Sequence, residues 1–192
     1  MQRTNEDAFR AAVQFDTQRW LERAVIGLNL CPFAKAVHTR GQIHYAVSRA
    51  GTPTPLLDDL VRELRDLTDL DPGVRETTLL IAPDCLAEFL QFNDFLKAAE
   101  RVLEELGLDG VIQLASFHPG YQFADATDGE IANYTNRAPY PTLHLLRESS
   151  IDRAVASFPE AEVIFKRNIE TLKNLGHEGW DRLGIGRTAP RE

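Results

Sequence analysis

No stretch of this sequence is apolar enough, for long enough, to span a bilayer. The nearest, Val25 to Phe33, is short and contains Asn29. The opening residues, Met1-Gln-Arg-Thr-Asn-Glu-Asp7, are polar and lack the apolar core of an export signal. Cysteine is scarce: Cys31 and Cys85 form neither a Cys-x-x-Cys pair nor a zinc-type spacing. Without an export signal, reduced thiols in the cytosol are expected rather than a disulfide. Positive charge is in deficit, with 21 Lys and Arg against 29 Asp and Glu, a formal net charge of −8. That argues against broad binding to nucleic acid or to an anionic membrane, and leaves room for a small basic pocket. Also missing are a glycine-rich phosphate loop, a Gly-x-Ser-x-Gly elbow, a His-Glu-x-x-His helix and a glycosidase-like carboxylate pair.

What remains is a chain of 192 residues with 43% hydrophobic and 26% charged residues, enough for one ordinary core. Thr4 with Asp7 resembles a capping pair for a helix over 5–29. Its apolar face, Phe9, Val13, Trp20, Ala24 and Leu28, is interrupted by Asp16 and Thr17. Residues 43–49 read as a strand. Thr54 then suits an N-cap and Pro55 the first helical position. Leu56, Leu57, Leu60, Val61, Leu64 and Leu67 follow at helical spacing, up to Asp71-Pro-Gly73. The run Thr77-Thr-Leu-Leu-Ile-Ala82 reads as a strand buried on both faces. Asp84 suits the cap of a helix that stops at Gly107. Strands follow at 111–117 and 142–147, and helices at about 150–157 and 159–175. Strand–helix alternation from 43 to 117 predicts an α/β domain, 1–183, with a mixed, largely parallel sheet of about four strands flanked by helices. A mobile tail is expected over 184–192.

The third strand ends at Phe117, and ligands of such sheets bind beyond the carboxyl ends of strands. His118 comes next and opens a long connection to Pro141, a length that is usually functional when ordered. Tyr121, Phe123, Tyr134 and Tyr140 give it material to pack. A short helix over 129–137 would carry Asn133, Asn136 and Arg137 on one face, a donor set suited to a carboxylate or phosphate. The plainer alternative is that the asparagines bond the loop's own backbone and Arg137 pairs with Asp125 or Asp128. If the fourth strand returns antiparallel to the third, Thr142 and His144 arrive beside His118, and Arg147 points to the other face. In Leu30-Cys-Pro-Phe-Ala-Lys35, Cys31 reads as an N-cap with Pro32 at the first helical position. The helix end and Lys35 would favour a thiolate there. Catalysis by Cys31 would need His118 or His144 as base or acid; the plainer reading is a small buried residue. A metal site built from Cys31, His118 and His144 is possible, but no ligand-motif spacing supports it.

Three segments carry a resemblance. Leu28-Asn-Leu-Cys-Pro-Phe-Ala34, Ala115-Ser-Phe-His-Pro119 and the run from Asn133 to Glu148 are similar to the motifs of a bacterial family known only as a domain of unknown function. The resemblance implies a cytosolic bacterial protein of about this length and carries no catalytic residue with it. Two readings follow. In the first, an enzyme acts on a small anionic metabolite: Asn133, Asn136, Arg137, Thr142 and Lys35 bind it, and His118, His144 and Cys31 do the chemistry. In the second, the same pocket belongs to a non-catalytic binding or sensing domain. A scaffold whose loop forms a protein interface is a weaker third. The sequence names no cofactor.

Overall fold

The leucine spacing has its predicted consequence. In the computed structural model, which describes residues 2–157 and 161–189, Leu56, Leu60, Leu64 and Leu67 are buried along one side of α3 (Pro53–Asp69). The helix begins two residues earlier than Thr54 suggests. Thr52 is its N-cap and Pro53 supplies the fixed φ of the first turn. α4 (Phe89–Glu105) buries Phe92, Phe95, Ala99 and Leu103. It starts later than Asp84, which instead pairs with Arg49 at 2.9 Å, while Leu86 turns the chain at φ 58°.

These helices cover one face of a four-stranded sheet made of β1 (Ile43–Val47), β2 (Thr77–Ile81), β3 (Ile112–Phe117) and β4 (Thr142–Arg147). The order is β1-β2-β4-β3. β1 and β2 pair in parallel, and β4 is antiparallel to both of its neighbours. The sheet is therefore mixed, not largely parallel. Alternation of strands and helices fixes the direction of β3 relative to β2, and it leaves adjacency open. The crossover through α4 leaves one place between them, and β4 takes it. Composition explains the choice. Leu143 and Leu145 face α3 and α4, while Leu146 faces the other side, so β4 is apolar on both faces. β3, with Gln113 exposed, suits the edge.

The other face is covered by α1 (Gln2–Trp20), α2 (Ala34–Thr39) and α5 (Glu148–Ser157). α1 begins upstream of Thr4 and passes into a π-helical turn, Leu21–Ile26, where the chain was expected to continue as one helix to 29. Gly27 closes that turn because a Cβ there would strike the carbonyl of Arg23. Asp16 and Thr17, the interruptions in the apolar face, are both buried and both bonded: Thr17 to the carbonyl of Val13, Asp16 to a set of distant donors.

α6 (Ala161–Arg182) passes the expected stop at 175 through a break at Gly176, where φ is 66°. Only a residue without Cβ adopts that angle easily. The break turns the last stretch onto the 118–141 segment, where Trp180 meets Tyr134 edge to face at 5.0 Å. Beyond it, residues 184–189 of the expected tail are tied back. Arg19 Nη2 donates to the Gly186 carbonyl, Arg187 Nε to the Pro139 carbonyl, and Thr188 to Asp16. Residues 190–192 lie outside the described residues.

Candidate functional site

The segment 118–141 folds around its own polar side chains. Asn133, fully buried, accepts the Phe123 N–H at Oδ1 (3.0 Å), and its amide donates to the Thr127 carbonyl (2.7 Å). The helix expected over 129–137 is a single 3-10 turn, Ile131–Thr135, so Asn136 and Arg137 fall after it. Asn136 accepts the His118 N–H at its carbonyl and the Thr135 hydroxyl at Oδ1. Arg137 donates from Nε to the Tyr121 carbonyl (3.1 Å) and from Nη2 to both the carbonyl and the carboxylate of Asp128 (2.8 and 2.7 Å). Its guanidinium lies 4.4 Å from the Tyr134 ring centre. This is the plainer of the two sequence readings, with Arg137 clamping the loop. Arg137→Ala should lower stability by about 2 kcal/mol, since it strips three hydrogen bonds and one ring contact from a half-buried position. Chemical denaturation checks this, and a change within experimental error would remove the clamp.

The two histidines do not meet. His118, 1% exposed, lies against Phe89 and Phe92, with ring centres at 5.5 and 5.1 Å, on the α4 side. Its Nδ1 accepts the Gly120 N–H (2.9 Å), so Nε2 carries the proton and donates to the Leu86 carbonyl (3.0 Å). Burial pushes its pKa down, only partly offset by the bond to Leu86. Neither nitrogen is left for a ligand. Thr142, also buried, donates to the Tyr140 carbonyl.

His144 faces the opposite side. Across the sheet it lies between Leu79 of β2 and Ala115 of β3. Above this floor is a cavity of 420 Å³. Its walls are mostly apolar: Trp20, Leu21 and Val25 from α1 and the π-helical turn, Phe33, Ala34 and Val37 around α2, and Ile151, Ala154 and Val155 from α5. Ala115 helps to make the space, because an alanine beside an imidazole leaves the floor uneven. Cys31 is on the wall too, so the structure brings Cys31 and His144 to one cavity. Cys31 does not cap α2, whose N-cap is Phe33; its carbonyl accepts the Ala34 N–H in the preceding turn. Lys35 is exposed on α2 and is not part of the wall. Arg147 reaches the carbonyls of Leu67, Leu70 and Arg75 with Nη2, closing the C-terminal end of α3.

Desolvation drives the His144 pKa down to about 4. Thr77, unremarked in the sequence, is its partner: the Thr77 hydroxyl lies 2.7 Å from Nε2. The strand pattern Thr-Thr-Leu-Leu-Ile was the only sign that this hydroxyl would be buried. A second hollow, of 460 Å³, opens between the 118–141 segment and the tail and is bordered by Arg137 and Arg187.

With His118 on the far face, Cys31, His118 and His144 do not form one donor set. No group of three His, Cys, Asp or Glu among the described residues is placed to hold a metal ion. No helix among them is long and apolar enough to cross a membrane. No curated protein and no solved structure matches the chain. A family model does match, over residues 12–182, and the chain belongs to that family, DUF1415, described as proteins of unknown function.

Proposed function

We propose that this protein binds a small, largely apolar molecule in the cavity between the sheet and α1, α2 and α5. The observation that carries the reading is the cavity itself. Its 420 Å³ falls in the range of about 300–1,000 Å³ usual for small-molecule sites, and apolar walls with few polar groups are their common make-up. Burial of such a ligand is favoured at about 25 cal/mol per Å² of apolar surface removed from water.

The catalytic reading has one observation in its favour, that Cys31 and His144 share the cavity. Thiol chemistry needs a base that works near neutral pH. An imidazole whose pKa is pushed down to about 4 is a weak one, so binding is the better-supported role. The small-anion reading draws its support from the second hollow, where Arg137 and Arg187 lie along one border. Against it, Arg137 already donates from Nε and Nη2 to the loop and Arg187 from Nε to Pro139.

Titration with N-phenyl-1-naphthylamine, a neutral dye that brightens in apolar sites, tests the proposal. Saturable enhancement with one site per chain is expected. Ala115→Leu should weaken it at least about tenfold by filling the floor, with the melting temperature unchanged or raised. No saturable signal in the wild type, or an equal signal in the variant, would overturn the reading.

A further inference from the structure

We infer that the molecule taken by this cavity is neutral and carries a hydroxyl or N–H group that donates to Nδ1 of His144. The inference rests on the binding role proposed above and adds the chemical class of the ligand.

The argument is a proton count. Thr77 Oγ1 has one hydrogen, and it goes to the Leu145 carbonyl at 2.6 Å. The contact of 2.7 Å between Thr77 Oγ1 and His144 Nε2 must then be a bond in which Nε2–H donates and the oxygen accepts. The imidazole is thereby held as the Nε2–H tautomer, and Nδ1 presents a lone pair. Nδ1 has no hydrogen-bond partner among the described residues, while the ring forms part of the cavity wall. Burial keeps the ring neutral, so it does not turn into a donor near pH 7.

An acceptor in apolar surroundings is costly to leave unmatched, and a donor on the ligand removes that cost. A carboxylate or phosphate placed there would meet a lone pair instead of an N–H. Of the charged groups at the rim, Glu76 is acidic and repels an anion, and Arg147 commits Nη2 to three carbonyls; its Nε has no partner but is buried, so an acid would have to reach that one N–H to bind there. Ethers and hydrocarbons fit the walls and leave Nδ1 unmatched.

The test is displacement of the same dye at pH 7.5 by three matched molecules: 1-decanol, decyl methyl ether and decanoate. For the wild type, decanol is expected to displace about five- to tenfold more tightly than the ether, and decanoate more weakly than decanol. In His144→Phe the gap between decanol and the ether should close while the ether keeps its affinity. Equal displacement by decanol and ether in the wild type would overturn the inference and leave the cavity reading standing. So would a gap that survives in His144→Phe. If the dye binds and decanoate is the tightest competitor, the cavity is a site for acids and the inference is also overturned. Failure of the dye and all three competitors to bind would remove the cavity reading and this inference together. The wild-type comparison decides by itself should the His144 variant not fold.

Discussion

Replacing Asp16 with alanine should cost this protein about 3–5 kcal/mol. The carboxylate is fully buried on α1. Its oxygens accept from the Tyr140 hydroxyl (2.7 Å), the Thr188 N–H (2.6 Å) and the Thr188 hydroxyl (2.7 Å), with Arg19 Nη2 at 3.1 Å and the Ala189 N–H at 3.4 Å. Alanine would leave all of these donors facing a gap. It would also release the residues they hold. The strap from Gly186 to Ala189 crosses α1 and the end of the 118–141 segment, where Arg187 lies 4.7 Å over the Tyr140 ring. Asp16→Asn keeps the shape but presents an amide where an acceptor is needed, so it should recover only part of the loss. Denaturant unfolding gives the magnitude, and hydrogen exchange over 184–189 reports the strap. A loss under about 1 kcal/mol, with unchanged exchange in the strap, would show that the carboxylate does not hold it.

The same residue shows where reading the sequence stops. Asp16 and Thr17 look like faults in an amphipathic helix because their partners are out of sight. Thr17 bonds one turn back, but Asp16 depends on residues 124 and 172 positions away. The helices and strands were legible because each is written in a local period: leucines at three and four in α3, an unbroken apolar run in β2. Strand order was not, since the place of β4 depends on the path of a long irregular connection. In the candidate site, the sequence points to Cys31 and His144, and the two share a cavity. Pairing His144 with His118 failed on the two-residue period of a strand. Phe117 is paired with Thr142 and faces the cavity with His144, so the residue after it faces α4. Asn133 and Arg137 have the chemistry of an anion site, but a loop that must fold without regular ladders uses its own amides and guanidinium first. The cavity has no sequence signature, because it is an absence of side chains among elements far apart in the chain.

Lowering the pH should destabilise the protein through His144 before most of its carboxylates are protonated. The folded pKa is pushed down to about 4, whereas an unfolded histidine titrates near 6.5. At pH 7.5 both states hold the ring neutral and the shift contributes nothing. As the pH falls through about 6.5 the unfolded chain takes up a proton that the folded chain refuses, so stability drops. The drop continues to about pH 4, where the folded protein also binds the proton, and below that it levels off. At 1.36 kcal/mol per pKa unit the loss from His144 has an upper bound of about 3 kcal/mol, reduced by whatever water the cavity admits. His118, shifted down by burial, pulls in the same direction over a window that opens at the same pH. His44, also shifted down by desolvation and then by Arg75, is half exposed and adds little. Carboxylates contribute at the acid end, but equally in wild type and in His144→Phe, so the difference between the two isolates His144. The variant loses only the bond to Thr77, whose hydroxyl keeps its own bond to the Leu145 carbonyl, and at pH 7.5 its stability should lie within about 1 kcal/mol of wild type. Urea unfolding at pH 7.5, 5.5 and 4.5 is expected to show the wild type falling faster, with the variant overtaking it in the acid range. Two parallel curves would mean that protonated His144 is tolerated in the fold, its ring reached by water through the same cavity that was taken to exclude it.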